Sequence, residues 1–192
     1  MALYDVITFG HPTLRKKAKE ISVDEIDQEF IDDMLETMYE KDGVGLAATQ
    51  VNVLKRLVVV NDLKSEYVLI NPKIIAKSEQ QETDTEGCLS LPGFQAKVPR
   101  HLKIIVRALD REGDSVEFEA KGLLARIIQH ELDHLDGILY IDRAEPDSLR
   151  MIMESDESSL KEISEKELTD FFKDNFHAER PDVEFERVQP LV

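Results

Sequence analysis

The sequence predicts an α+β fold in which antiparallel or mixed β-sheets pack around a central helix, with an additional helix near the C-terminus. Three observations predict it. Short runs of β-branched residues fill much of the stretch before residue 120. One long apolar stripe with helical spacing follows them at residues 123–135, and a second amphipathic pattern runs from Ser158 to about Asn175. Strands that precede helices, instead of alternating with them, favour α+β over α/β.

The individual elements follow from local signals. Ser22 and Glu25 have the spacing of a capping box, and apolar residues recur every three or four positions behind them, which predicts a helix over about 24–39. Asp42-Gly43 ends this helix, and Asn71-Pro72 is expected to end a strand. Gly137 is a fitting stop for the later helix. The predicted strands cover residues 57–60, 67–70, 73–76, 103–109 and 115–120, the last two joined as a hairpin.

Composition sets the protein class. A chain of 192 residues fits one domain with an appendage, and a net charge of -16 disfavours general binding to DNA or RNA. The sequence has one cysteine, no run of bilayer length and no signal-peptide core at its start, so we expect a cytoplasmic protein without internal disulfides. Residues 143–192 carry 7 basic and 14 acidic side chains, a much denser negative charge than in residues 1–142, which have 17 and 26. We therefore expect a catalytic domain over 1–145 and an acidic helical extension and tail over 146–192.

The buried helix carries the clearest chemical motif. His130 and His134 lie four residues apart, so they project from one face, one turn separated, with Glu131 between them. H-E-x-x-H on a helix is typical of a metal site in which two imidazoles bind the ion and the glutamate handles protons for a metal-bound water. Two core histidines that merely pack are the structural alternative.

A catalytic site of this kind needs a third protein ligand and an open position for water. Glu145 and Glu154 could supply a carboxylate downstream, whereas Cys88, the only cysteine, could supply a thiolate upstream. Cys88 is preferred, because a metal site explains its solitary use. A thiolate with two imidazoles suits Fe(II) or Zn(II).

Three stretches together resemble the motifs of the peptide deformylase family: GVGLAATQ at 43–50, EGCLS at 86–90 and QHELDH at 129–134. GHPTLR near the N-terminus and INP at 70–72 also resemble it, and the likeness covers about residues 1–145. It implies removal of the formyl group from the N-terminal formylmethionine of new proteins, with release of formate. It also implies Fe(II) as the physiological metal, with Zn(II), Ni(II) or Co(II) in purified protein.

The resemblance also assigns roles to residues. It implies Cys88, His130 and His134 as metal ligands, Glu131 as general acid/base, and the Gln50 amide and Leu89 N–H as oxyanion donors. Arg126 is expected at the rim of the methionine pocket with its head in water. Glu86 and Arg100 either pair to brace the EGCLS loop or remain solvated. The backbone at residues 44–46 is expected to pair with an extended peptide, and family position puts Val44, Leu123 and Ile127 in the wall of the methionine pocket. The expected substrate contacts are Val44, Gly45, Leu46, Gly87, Leu123, Arg126 and Ile127.

Partners follow from the same resemblance. Formylated nascent polypeptides imply proximity to the ribosome, but the acidic last fifty residues do not favour docking on ribosomal RNA through a basic C-terminal helix. That segment could instead pack on the core, meet another protein or form a homodimer contact. No DNA or membrane partner is expected. A metallopeptidase with a carboxylate ligand and a non-catalytic, metal-stabilised binding module are the rival functions.

Overall fold

A computed structural model describes residues 3–152 and 160–162 of the chain. The described residues form two sheets, three α-helices and three short 3-10 turns. The helices are α1 Gln28–Glu40, α2 Gly122–Leu135 and α3 Tyr140–Arg143. The strands are β1 Gly45–Ala47, β2 Leu57–Asn61, β3 Glu66–Lys77, β4 Gln81–Cys88, β5 Leu91–His101, β6 Lys103–Leu109, β7 Ser115–Lys121, β8 Arg150–Ile152 and β9 Leu160–Glu162. The 3-10 turns are Pro12–Arg15, Val23–Glu25 and Ala48–Val51.

Both sheets are antiparallel throughout, which confirms the mixed α+β class. The five-stranded sheet has the order β1-β2-β3-β6-β7, and the four-stranded sheet has the order β4-β5-β8-β9. β1 is therefore an edge strand, paired with β2 through Gly45↔Val60. β4 is the edge of the other sheet. The predicted hairpin is present as β6 and β7, with Leu109 opposite Ser115.

The five-stranded sheet separates two parts of the core. α2 packs on one face, where Ile128 joins Val58 and Val106. α1 packs on the other face, where Met34 joins Val59. Alternate residues of β2 thus face opposite helices, as the pleat of a strand requires. The central helix α2 is buried along most of its length, as its wide apolar stripe predicts.

Two predicted element boundaries were wrong. The capping box is real, since the Ser22 N–H donates to Glu25 Oε2 at 2.8 Å, but it closes only a 3-10 turn. α1 begins later at Gln28, where Asp27 Oδ1 accepts from the Phe30 N–H at 3.1 Å and supplies a second N-cap. Asn71-Pro72 does not end a strand either. β3 continues through it because Asn71 takes a left-handed φ of 51° and a register shift absorbs the irregularity.

The C-terminal helix predicted from Ser158 was wrong where the structure describes it. Leu160–Glu162 forms β9 and pairs with β8, which in turn pairs with β5. Pairing with a neighbouring strand here overrides a helical pattern, because propensity is a weak prior beside tertiary contacts. The remainder of that predicted helix lies outside the described residues. Across the described helices, none is long and apolar enough to cross a membrane.

Candidate metal centre and active site

Three predicted ligands converge at one point. Cys88 Sγ lies 3.2 Å from His134 Nε2, which lies 3.2 Å from His130 Nε2. All three ligand atoms lie within 4.8 Å of one another, and this is the one such group of three found among the described residues. The two histidines project from one face of α2, while Cys88 comes from the end of β4, where the pairing with β5 shifts register before Leu91.

The donor set fits a divalent metal ion. Both histidines are buried, and their Nε2 atoms face each other and a sulfur atom without an intervening carboxylate. Burial, with a further contribution from His130, lowers the pKa of His134, which favours the neutral imidazole that a metal needs. One soft sulfur and two imidazole nitrogens suit Fe(II) or Zn(II).

A buried ion network holds the His130 ring. Glu86 Oε2 lies 2.9 Å from His130 Nδ1, so the opposite ring nitrogen is directed to the cluster. Arg100 donates to both oxygens of Glu86 at 2.9 Å and to Asp133 at 2.6 Å. Arg143 donates to both oxygens of Asp133 at 2.6 Å. Burial alone would raise the pKa of Glu86, but the hydrogen bonds from Arg100 and His130 outweigh it and hold that pKa below its ordinary value. Glu86 is therefore a carboxylate that orients a ligand.

Glu131 lies beside the cluster, with its side chain almost fully buried. Its Oε2 has no hydrogen-bond partner among the described residues. Burial is the largest influence on its pKa and raises it to about 7. Gly45 of β1 lies directly against this carboxylate, since a Cβ built on Gly45 would lie 2.4 Å from Glu131 Oε1. A carboxyl group with a pKa near neutrality can both accept and return a proton.

Gln50 is fixed with its amide nitrogen toward Cys88. Its Oε1 accepts from the Ala47 N–H at 2.8 Å, so Nε2 is left to donate to Ser90 Oγ at 3.2 Å and Cys88 Sγ at 3.6 Å. The Ser90 N–H also donates to the sulfur, at 3.4 Å. Cys88 Sγ therefore accepts hydrogen bonds from two N–H donors beside the ligand cluster.

A cleft of about 380 Å³ opens beside the cluster. Its mouth is apolar, with Leu123 49% exposed and Val44 39% exposed. Two glycines on opposite sheets border it, Gly45 on β1 and Gly87 on β4. The predicted site residues that line it are Val44, Gly45, Gln50, Gly87, Cys88, Leu89, Leu123, Arg126, Ile127, His130 and Glu131.

Leu46 and Arg126 differ from the other predicted contacts. The Leu46 side chain is completely buried in the core on the α1 side of the sheet, which leaves only its backbone for the predicted contact with a peptide. The head of Arg126 is not in water: its guanidinium donates to Glu86 Oε1 at 2.8 Å, to the Val98 carbonyl at 2.9 Å and to the Glu82 carbonyl at 2.6 Å. Those three acceptors lie on the β4–β5 hairpin, so Arg126 ties this hairpin to α2.

Sequence reasoning missed Asp133 and Arg143. Asp133 lies inside QHELDH, next to the ligand His134, but nothing in this motif indicates that Asp133 pairs with Arg100 and Arg143. The downstream carboxylate Glu145 is not part of the cluster, since it accepts from Thr83 Oγ1 at 2.9 Å on the surface. Glu154 lies outside the described residues. Glu86 and Arg100 form a buried ion pair. Of the two predicted arrangements, a paired brace and two solvated side chains, the structure therefore has the paired one.

Comparisons with known proteins agree with this geometry. The sequence profile described as polypeptide deformylase matches residues 3–150. The chain is 48% identical over 147 residues to a peptide deformylase of Natranaerobius thermophilus, which covers 76% of this chain and 94% of that one. It is 51% identical over 152 residues to that of Thermodesulfovibrio yellowstonii, covering 76% and 92%.

Solved structures show the same likeness. A crystal structure of peptide deformylase from Thermotoga maritima superposes with a TM-score of 0.74 at 40% identity, over 76% of this chain and 100% of that one. A peptide deformylase from Synechococcus elongatus in complex with actinonin superposes with a TM-score of 0.71 at 44% identity, over 74% and 79%. The chain belongs to the polypeptide deformylase family.

Proposed function

We propose that the Cys88, His130 and His134 cluster, with Glu131 beside it, carries out the deformylation that defines the family. This chain is a metal-dependent hydrolase that removes the N-formyl group from newly made proteins. The observation that carries the assignment of residues is the convergence of three ligand atoms within 4.8 Å next to a buried carboxyl group and an open cleft.

The three cluster residues would hold one divalent ion, and we propose Fe(II) as its physiological identity, with Zn(II), Ni(II) or Co(II) as substitutes in purified protein. A bound divalent ion supplies a Lewis acid and lowers the pKa of a water molecule toward 7. The chain's own task is then to hold the ligands, exclude bulk water and move protons.

Glu131 performs the proton transfers. Its Oε2 has no other partner among the described residues, so it is available to accept the proton of the attacking water and to pass it to the leaving amine. Formate and a free amine are the products. The pKa near 7 suits a group that must do both at neutral pH.

Gln50 and the backbone N–H of Leu89 would stabilise the negative charge that develops on the formyl oxygen, and both residues line the cleft. The bond from Ala47 prevents the Gln50 amide from turning its oxygen toward the site. A donor fixed in this way costs no reorganisation during the reaction, and loss of one such donor typically costs roughly 10²–10³ in rate.

The substrate lies between two strand edges. We propose that an extended peptide adds along Val44 and the first two residues of β1, Gly45 and Leu46. Gly87 of β4 lies on its other side, and glycine leaves backbone groups accessible. Leu123, Ile127 and Val44 form the apolar wall for the methionine side chain. Arg126 ties α2, which carries Leu123 and Ile127, to the β4–β5 hairpin.

The rival functions lack support among the described residues. A metallopeptidase would need a carboxylate ligand, and a metal-stabilised binding module would need a fourth protein ligand, whereas the described cluster has neither. We further propose that residues 1–145 form the catalytic domain, that the enzyme works in the cytoplasm near the ribosome, and that the acidic residues 146–192 do not dock on RNA. For residues 146–192, we propose a homodimer contact as the alternative to docking on RNA.

Two substitutions test the residue roles. Glu131→Ala is expected to keep the metal and lose turnover, whereas Cys88→Ala is expected to lose the metal. Formate release from formyl-Met-Ala-Ser by anaerobic, Fe(II)-loaded protein gives the activity, and elemental analysis gives the metal content. A full complement of metal in the Cys88→Ala protein would overturn the ligand assignment, and release of formate by Glu131→Ala at the wild-type rate would overturn the proton-transfer role.

A further inference from the structure

A second groove, with a volume of about 480 Å³, lies between β3 and the β6–β7 hairpin, and it shares no lining residue with the catalytic cleft. It exists because one ladder stops early. β3 pairs with β2 from Glu66 onward, whereas its pairing with β6 begins only at Ile70. Within the described part of the chain, residues 66–69 therefore have β2 on one side and the groove on the other. We call this segment the open edge.

The groove stays open because the tip of the β6–β7 hairpin is anchored to α1 and not to β3. Arg111 at the tip donates to Asp32 at 2.7 Å and to Gln28 Oε1 at 3.0 Å. Gln28 Nε2 donates back to the Arg111 carbonyl at 2.6 Å. Gly113 also packs on Val23, where an added Cβ would lie 2.7 Å from Val23 Cγ1. Because these contacts tie the tip to α1 and the turn before it, the tip does not continue the ladder along β3.

The floor of the groove is apolar and aromatic. The rings of Tyr67 and Phe118 stack at a centroid distance of 5.7 Å with an interplanar angle of 19°. Val116 and Leu69 lie beside them. In an antiparallel strand, alternate residues direct their N–H and C=O groups to opposite edges, so the open edge offers backbone partners above this floor. An open edge of this kind is a template for one more strand.

The charges around the groove select the occupant. Four carboxylates line it, against one guanidinium, that of Arg111, which already bonds Asp32. Arg107 pairs with one of the four, Glu117, at 2.8 Å on the surface. The acidic side chains are Glu66, Asp110, Glu112 and Glu117. An acidic segment, including this chain's own acidic C-terminal region, would be repelled here, whereas lysines or arginines would be attracted.

We propose that this groove docks an extended segment of a partner protein in which basic and aliphatic residues alternate, by strand addition along the open edge. The aliphatic side chains pack on Tyr67 and Phe118, and the basic ones meet the carboxylates. Backbone hydrogen bonds give such an interaction its affinity, and alternate side chains give it specificity. The enzyme would thereby hold a second protein while the catalytic cleft stays free.

The test uses the full chain loaded with metal. The probe is a fluorescent peptide, acetyl-Lys-Val-Lys-Val-Lys-Val-Lys-amide, and its matched control has glutamate in place of every lysine. We expect saturable binding of the basic peptide alone, measured by anisotropy, and slower hydrogen exchange of the amides at 66–69.

The double substitution Glu66→Lys with Glu112→Lys should weaken binding of the basic peptide about tenfold, since each exposed charge pair changes the affinity a few-fold. Both side chains are exposed, so formate release should be unchanged and shows that the variant is folded.

Several results would overturn the proposal. One such result is that the basic peptide shows no saturable binding. Another is that the peptide slows hydrogen exchange of the β1 amides instead of those of the open edge, which would place it in the catalytic cleft. Equal binding by the charge-reversed variant would remove the electrostatic basis. A further result concerns the protein without peptide. If the amides at 66–69 then exchange more slowly as the protein concentration is increased, the groove is occupied by a second copy of this chain.

Discussion

The close approach of Gly45 to Glu131 makes Gly45→Ala the sharpest test of the site. A Cβ at this position would lie 2.4 Å from Glu131 Oε1, 2.8 Å from Cδ and 2.9 Å from Cγ. Ordinary contact begins at 3.4 Å, so the carboxyl group must move by about 1 Å. Glu131 is buried on α2, and β1 is held by its ladder to β2, so neither backbone yields freely.

That displacement sets the expected size of the effect. A misplacement of ~1 Å in a reacting group costs about 10²-fold in rate. We therefore expect kcat for formyl-Met-Ala-Ser to fall about a hundredfold, with metal content unchanged, because the three atoms nearest to the added Cβ all belong to Glu131 and not to a metal ligand. Overpacking should also cost roughly 1–3 kcal/mol of unfolding free energy.

A double-substitution cycle separates this contact from a general effect on β1. Glu131→Ala removes the three atoms that lie nearest to the added Cβ. In that background, Gly45→Ala should cost little stability, so the coupling free energy should reach ~1–3 kcal/mol by urea unfolding. An equal stability cost in both backgrounds, or wild-type kcat in the single variant, would refute the reasoning.

Two further substitutions probe the ligand brace and the methionine wall. Glu86→Gln removes the charge that Arg100 and His130 share, so the metal should leave about 10–100-fold faster to a chelator, and an unchanged rate would count against the brace. Leu123→Ala removes an apolar side chain that is 49% exposed, so KM should increase about fivefold while kcat and the unfolding midpoint stay close to wild type. An unchanged KM in steady-state kinetics would exclude Leu123 from the wall.

Local patterns predicted much of the fold. The stripe of α2 and the β6–β7 hairpin are specified by neighbours in sequence, and they were predicted correctly. The β4–β5 hairpin was not. β4 is polar and exposed from Gln81 to Thr85, and β5 contains Pro92 and Pro99, which normally disfavour a strand. These strands form because each supplies the other's backbone partners, and a single-strand pattern does not carry that information.

The candidate site also contains residues that local sequence patterns predict and residues that they do not. His130 and His134 were predictable because helix geometry alone places residues four apart on one face. Cys88 could be proposed as the third ligand from its solitary occurrence and from the resemblance, although no spacing rule links it to α2. Leu46 was predicted to offer its backbone to the substrate. Its side chain packs on the α1 side, because alternate residues of a strand face opposite ways.

The ion network shows why charged residues are the hardest to place. Taken singly, Arg126 and Arg143 match the usual expectation that an arginine is solvated. In the fold, both join a set in which Arg100 is 4% exposed and Glu86 is 6% exposed. Burial of any one of these charges is costly unless its partners are present, so each member of the network depends on the others. Its members come from β4, β5, α2 and α3, and only the complete fold brings them together. The orientation of His130 therefore depends on tertiary structure that the H-E-x-x-H motif does not encode.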